Sequence, residues 1–260
     1  MKTRLWLLIG AIFIAVFIVY LFPAIPQSEA YHNFADNRAF LGIPNCLNVI
    51  SNALFLIVGL LGIHFVLRNQ SGSNAAFVHP AERWPYLAFF AGVTLTAFGS
   101  SWYHLRPNDA TLVWDRIPMA IGFMSLVAAV IAERINVKAG VRLLLPLIVV
   151  GIGSVVYWDV TQARGYGDLR PYALTQFGGL LVLALMLALF PPRYTRGADF
   201  FISLAFYAVA KILEAADKLI FGLGGIISGH TLKHIAAAVS AYWILRMLRL
   251  RAPMPLSRPC

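Results

Sequence analysis

GHTLKHIAAAVSAYWIL, residues 229–245, opens the last long apolar segment of the chain and places two histidines at its start. His230 and His234 are four residues apart, so on a helix they lie on one face, about 6 Å apart, and can bind one metal ion through adjacent imidazoles. Ionisable groups at membrane depth are costly and usually mark a functional site. A single pair with this spacing is weak evidence, so other parts of the chain must supply further ligands.

A third histidine, His104, ends another apolar segment in the sequence Ser100-Ser101-Trp102-Tyr103-His104. Ser100 precedes His104 by four residues, so it lies on the same helix face and one turn deeper. Asp115 follows the next turn. Together these residues form a candidate set of three imidazoles, a carboxylate and a hydroxyl, if the fold brings the helix ends together.

The composition is that of a membrane protein. Of the 260 residues, 60% are hydrophobic and 12% are charged, which is unlike a soluble globular domain. Apolar runs of about 20 residues, long enough to cross a bilayer, recur along the chain. The net charge of +10 comes largely from short connections between these runs, where it sets topology, so nucleic acid is not an expected partner. Cys46 and Cys260 are far apart, so no disulfide framework is indicated.

An all-α bundle of eight spans is therefore predicted. The run Leu5–Ile25 is long for a signal peptide and lacks a clear small-x-small site, so residues 1–27 are predicted to form an uncleaved transmembrane anchor. Residues 28–250 are predicted to form a seven-transmembrane domain and residues 251–260 a cytoplasmic tail. The seven further spans are Cys46–Leu67, Trp84–His104, Leu112–Ala132, Val141–Trp158, Pro171–Phe190, Phe200–Phe221 and Ser228–Leu248.

The basic residues orient this bundle. With the N-terminus in the cytoplasm, most lysines and arginines of the connections fall on the cytoplasmic side, as the positive-inside rule requires. The opposite side carries Arg38, Arg106, Arg116, Arg164 and Arg170. This topology places both termini inside and predicts that His104, Asp115, His230 and His234 all lie near the same outer end of the bundle.

Three neutral imidazoles and one water are the ligands of many catalytic zinc sites, and zinc lowers the pKa of its water to about 7. Asp115 is placed to orient that water or to take its proton, and Ser100 to donate a hydrogen bond to a developing oxyanion. The alternative is a structural role. The histidines would then hydrogen-bond to helix ends or extend to the membrane–water interface, and Asp115 would pair with Arg116 or cap its helix.

The other polar groups of the apolar segments have ordinary explanations. His32, His64 and His79 are not expected to be ligands. A polar stripe along the second span is expected to make hydrogen bonds between helices; it consists of Asn45, Asn48, Ser51 and Asn52. A charged cluster in the seventh span is expected to form buried ion pairs, with an ion pathway as the alternative. Its members are Lys211, Glu214, Asp217 and Lys218.

The pattern Ser100-x-x-x-His104, Asp115 and His230-x-x-x-His234 resembles the alkaline ceramidase family, part of a group of membrane hydrolases that includes the adiponectin-type receptors. Asn48-x-x-Ser51-Asn52 also matches, as does the run of Gly229-His230 into three alanines. The resemblance covers about Tyr31 to Leu248. It implies a seven-helix core to which the Leu5–Ile25 helix is an addition. It also implies zinc held by the three histidines and a water, with Asp115 and Ser100 assisting cleavage of ceramide into a fatty acid and a sphingoid base.

Two departures qualify the resemblance. The eukaryotic members carry an acidic calcium-binding cluster before the first core helix, whereas residues 31–38 offer Asp36 alone and Asn45 replaces an expected acid; this argues against calcium regulation. Lys233 stands where the family often has tryptophan, which leaves the substrate in question.

The reduced acidic cluster and the short loops favour a bacterial inner membrane, with the site facing the periplasm. Two other functions remain open on the sequence alone. One is a receptor-like or scaffold protein that keeps a structural zinc site and binds lipid without turnover. The other is a cation or proton transporter that uses Lys211, Glu214 and Asp217.

Overall fold

The computed structural model describes residues 1–69 and 76–254, and within these ranges the chain is all-helical, with no β-strand. The helices are α1 Lys2–Leu21, α2 Cys46–Ser51, α3 Ala53–Arg68, α4 Arg83–Leu105, α5 Asp109–Arg134, α6 Val137–Ala163, α7 Arg170–Ala173, α8 Gly179–Leu189, α9 Asp199–Ala215, α10 Asp217–Gly224 and α11 Gly229–Leu250. The predicted all-α fold class is confirmed. Every predicted span corresponds to one helix or to two consecutive helices.

Length and hydropathy single out five segments that can cross a membrane: Lys2–Leu21, Cys46–Arg68, Asp109–Arg134, Val137–Ala163 and Arg170–Leu189. The helices over the other three predicted spans fall short. Helix α9 has 17 residues, and α4 and α11 carry the polar side chains of the candidate site. The structure therefore agrees with a membrane protein, while the count of eight spans stays a prediction.

Helix α1 faces outward, with Leu8 as its one buried residue. An exposed, strongly apolar helix of this kind is suited to contact with lipid. The connection that follows α1 turns back over the end of the bundle where α4 ends and α11 begins. It buries Gln27, Phe34 and Asp36 there. We call this connection, residues 22–45, the cap loop.

Helix α5 packs against both α4 and α6, and α4 also packs against α3. Helix α11 packs against both α9 and α3. A close approach at Gly99 joins α4 to α5, because a Cβ there would lie 1.9 Å from the Trp114 carbonyl oxygen. This contact places the last turn of α4 beside the first turns of α5. His104 of α4 lies beside His230 and His234 of α11, so the end of α4 and the starts of α5 and α11 lie at one end of the bundle.

The predicted seventh span is interrupted. At Ala216 the backbone leaves the helical conformation between α9 and α10, and α10 ends at Gly225, which has φ +64°. Asp217 follows the break and accepts hydrogen bonds from the backbone N–H of His230, at 2.7 Å, and of Ala35, at 2.9 Å. The interruption therefore directs a carboxylate to the start of α11, where it stabilises the unpaired N–H groups of the first turn.

The first part of the predicted C-terminal tail is packed on the protein. Arg251 is buried and binds Glu133 of α5 at 2.7 Å, and its guanidinium lies 4.0 Å from the ring centroid of Tyr194. Met254 donates its N–H to the Arg193 carbonyl oxygen. Residues 255–260, which include Arg258 and Cys260, lie outside the described residues.

Candidate metal centre

His104, His230 and His234 come together in the structure. Their ring centroids are 4.9 to 5.0 Å apart in all three pairs, and each pair is in edge-to-face orientation. One nitrogen from each ring can be chosen so that all three lie within 4.8 Å of one another. The three side chains are buried, with exposures of 1%, 4% and 2%. The sequence prediction that these histidines converge is confirmed.

The donor chemistry of this group suits a metal ion. Neutral imidazoles are common ligands of zinc and of other transition metals. His104 Nδ1 is buried and has no hydrogen-bond partner among the described residues, and a buried polar atom left unpaired is costly. The three rings each offer a nitrogen at distances that a single ion can span, so the residues present fit a metal. The chemistry of the three ligands alone does not fix which metal it is.

Hydrogen bonds from the second predicted span hold the histidine helices in place. The Ser51 hydroxyl is 2.8 Å from His234 Nδ1, and Asn45 Nδ2 donates to the His104 carbonyl oxygen at 2.8 Å. The Thr231 hydroxyl donates to Asn48 Oδ1 at 2.7 Å. The interpretation of the polar stripe as inter-helix hydrogen bonding is confirmed for Asn45, Asn48 and Ser51. Asn52 instead donates to the Asn48 carbonyl oxygen in its own segment, and its Oδ1 has no partner among the described residues. The sequence did not show that Ser51 contacts the His234 ring, because residue spacing alone does not identify side-chain partners.

Asp115 and Ser100 lie beside the histidines and not among them. Both are buried, with exposures of 6% and 2%. Both face a cavity that His234 also lines. Asp115 forms no ion pair with Arg116 among the described residues, contrary to the structural alternative considered for it. The arrangement places a carboxylate and a hydroxyl next to the candidate ion without using either as a ligand.

The cavity has a volume of about 320 Å³ and runs between α4, α5, α8, α9 and α11. One part of its wall is polar and includes Ser100, Asp115 and His234. The remainder is largely apolar, with Phe89, Val93, Phe123, Leu126, Leu180 and Leu204. A cavity with one polar part and one apolar part is suited to an amphiphilic molecule with its polar group near the histidines.

The cap loop covers the histidines at this end of the bundle. The Phe34 ring centroid is 4.6 Å from those of both His104 and His230. Asp36 binds the Arg38 guanidinium through both oxygens, at 2.7 and 2.8 Å. That pairing lowers the pKa of Asp36 below its ordinary value. Asp36 was the one acid available for a calcium site, and its carboxylate is used by Arg38.

The other histidines are not in the group. His32 binds the Tyr103 hydroxyl at 2.9 Å and Asp109 at 3.0 Å. His79 Nδ1 accepts the backbone N–H of Ala81 at 3.1 Å, and His64 is exposed. These positions agree with the expectation that none of the three is a ligand.

The charged cluster forms ion pairs, but not all of those expected. Lys211 pairs with Glu214, and Glu214 also binds Lys233 of α11 at 2.7 Å. Lys218 is exposed and takes part in no ion pair of the described chain. Lys233 Nζ lies 3.4 Å from His230 Nε2, so the ion pairs extend through Lys233 to the histidine group. Lys233 was treated as a departure from the family pattern, and its pairing with Glu214 was not foreseen.

Comparisons with known proteins identify no family. The sequence matches no model of a protein family, and no curated protein matches it significantly.

Proposed function

We propose that this protein is a zinc-dependent intramembrane hydrolase that cleaves the amide bond of ceramide or a related lipid amide. The observation that carries the proposal is the buried triangle of His104, His230 and His234 next to a cavity that Ser100 and Asp115 line. A structural zinc site needs four protein ligands and no adjoining cavity. Three imidazoles with an acid and a hydroxyl alongside are the arrangement of a site that does chemistry.

A zinc ion held by His104, His230 and His234 would polarise the scissile carbonyl and activate the attacking water. Asp115 takes a proton from that water as the new C–O bond forms, then gives it to the nitrogen as the C–N bond breaks. Ser100 donates a hydrogen bond to the carbonyl oxygen as negative charge develops on it. The products are a fatty acid and a free amine, so one water is consumed for each bond broken.

The apolar part of the cavity would hold the acyl chain, and the histidines would face the outer surface of a bacterial inner membrane. The core of seven helices would correspond to α2 through α11, with α1 as an addition. This assignment is supported by the resemblance of the five site residues to the alkaline ceramidase family.

Metal analysis tests the first part of the proposal. Purified protein should contain about one zinc ion per chain, and His230→Ala or His234→Ala should lose it, because each substitution removes one of three ligands. His64→Ala is the matched control, since this exposed histidine lies outside the group. Wild-type protein that remains metal-free after incubation with zinc would exclude the proposed site.

Turnover tests the second part. Wild-type protein with zinc should release labelled fatty acid from lipid amides, and Asp115→Asn should keep its zinc while losing at least about 100-fold in kcat, the usual contribution of a general acid–base group. A protein that binds zinc and lipid but releases no fatty acid would instead be a receptor-like or scaffold protein.

A further inference from the structure

Arg116 is a buried cation beside the proposed reaction centre. It follows Asp115 in α5, and its side chain is 6% exposed. Its guanidinium carbon lies 4.2 Å from the ring centroid of Trp158 and 4.9 Å from that of Tyr172. A guanidinium group stays charged at all relevant pH values, so this position carries a permanent positive charge.

The hydrogen bonds of Arg116 are incomplete. Nη2 donates to Gln27 Oε1 at 2.5 Å, but Nη1 is buried and has no acceptor among the described residues. The two other buried arginine side chains, Arg134 and Arg251, each have a carboxylate within 4.0 Å, that of Glu133. Arg116 has no such partner in the described chain. A buried cation without a counter-charge is expensive, and in a membrane protein it usually marks a functional site.

The charges of the cavity wall do not cancel. Three cationic side chains line it, Arg116, Lys211 and Lys233, against two carboxylates, Asp115 and Glu214. Glu214 binds both lysines. Asp115 forms no ion pair within the described residues. One formal positive charge is therefore left over, and Arg116 is the cation that no carboxylate contacts.

We infer that Arg116 binds the headgroup of the substrate, and that this headgroup is a monoanion close to the scissile amide, such as the carboxylate of an N-acyl amino acid. A carboxylate would supply the counter-charge that Arg116 lacks, and the planar guanidinium offers Nη1 to an anionic oxygen. The apolar part of the cavity then holds the acyl chain, as for ceramide. This inference rests on the proposed function. It differs from it in the substrate, which has an anionic headgroup in place of the neutral headgroup of ceramide.

Two lipid amides with the same acyl chain test the inference: N-palmitoylglycine, which is anionic, and N-palmitoylethanolamine, which is neutral. Palmitate release by the zinc-loaded protein gives kcat/KM for each. The wild type should favour the glycine conjugate at least about tenfold, the value of one hydrogen bond to a charged group. Arg116→Gln should bring the ratio close to one, mainly by raising KM for the glycine conjugate, and Arg116→Lys should keep part of the preference.

Arg106→Gln is the matched control, because Arg106 has the same charge at the same end of the bundle but is exposed and does not line the cavity. It should keep the wild-type ratio. Equal hydrolysis of the two amides by the wild type, or a ratio that Arg116→Gln leaves unchanged, would overturn the inference while leaving the hydrolase intact. Either result would mean that the aromatic rings and Gln27 satisfy Arg116 without a ligand.

If neither amide is cleaved, the proposed hydrolase activity is wrong. A binding measurement by thermal unfolding then tests the inference about Arg116 on its own. N-palmitoylglycine should raise the thermal unfolding temperature of the wild type more than N-palmitoylethanolamine does, and Arg116→Gln should remove that difference. Equal shifts from the two lipids in the wild type would exclude an anion site at Arg116.

Discussion

The Ser51 hydroxyl determines which nitrogen of His234 is available to an ion. It lies 2.8 Å from Nδ1, so Nε2 is the nitrogen left for coordination. Partners of this kind fix the tautomer and orientation of a ligand ring, and their loss commonly costs about 10- to 100-fold in metal affinity.

Ser51→Ala should therefore lower zinc affinity by about 10- to 100-fold while the protein remains folded. Competition with a chromophoric chelator measures the affinity. Ser125→Ala is the control, because the Ser125 hydroxyl is also buried but has no hydrogen-bond partner in the described chain. Equal affinities for the two variants would show that His234 needs no support from Ser51.

At the residue scale, helical spacing was enough to find the residues of the candidate metal centre. His230 and His234 must share a helix face, and His104 and Ser100 must share another, whatever the rest of the chain does. Arg116 was noted only as a possible partner of Asp115. Its aromatic surroundings come from α6, α7 and the cap loop, and contacts between distant elements leave no periodic signal in the sequence.

At the scale of elements, the start of α11 is held against α9 and α10 by a very close approach. A Cβ at Gly229 would lie 2.2 Å from the Leu213 carbonyl oxygen and 2.7 Å from the Asp217 Cα. Both neighbours are backbone atoms, which cannot move aside as a flexible side chain can. The position of His230 therefore depends on the glycine before it.

Gly229→Ala should push α11 away from α9, destabilise the protein by about 1–3 kcal/mol and weaken zinc binding, because His230 moves with the helix. Thermal unfolding and zinc titration measure the two effects. Gly153→Ala in α6 is the control, since nothing lies within 4 Å of a Cβ there, and alanine there should stabilise the helix slightly. A Gly229→Ala protein that binds zinc as tightly as the wild type would refute this account.

The apolar runs predicted the helices well, because a segment that must cross hydrocarbon has to satisfy its own backbone hydrogen bonds. The break at Ala216 was not predictable, since no proline or glycine marks it. It is accompanied by Asp217 accepting the N–H of His230 in α11 and the N–H of Ala35. That arrangement depends on tertiary contacts that hydropathy does not record.

At the scale of the whole molecule, the cap loop is hydrogen-bonded to the segment between α10 and α11. The Arg38 guanidinium binds the carbonyl oxygens of Gly225 and Ile226, both at 2.8 Å, and Asp36 holds that guanidinium in place. The lysines and arginines of the connecting segments predicted which helix ends lie on the same side of the membrane. They gave no information about this irregular loop, whose conformation depends on contacts with residues almost 190 positions away.

The Asp36–Arg38 pair makes stability depend on pH in one direction. Because Arg38 lowers the pKa of Asp36 in the folded protein, the pair contributes stability above the ordinary aspartate value of about 3.9. That contribution disappears as the pH falls through the lowered pKa. Asp36→Asn should thus unfold a few degrees below the wild type at pH 6, and the difference should shrink as the pH falls below about 4.

Thermal unfolding of the zinc-free proteins in detergent across this range is the measurement. Asp159→Asn serves as the control, because Asp159 forms no ion pair in the described chain, and its difference from the wild type should vary little with pH. A difference for Asp36→Asn that stays constant from pH 6 to pH 3 would contradict the expected linkage.

Phe34 lies over two of the histidines. Because of this, the affinity for an ion and the rate at which the ion exchanges would depend on different residues. Tightness depends on the imidazoles and on Ser51, whereas escape towards the outer surface requires the ring of Phe34 to swing away. That ring belongs to a loop anchored through Arg38 and Asp217. The protein would then retain its ion through brief shortages of free metal, even if the equilibrium affinity were modest.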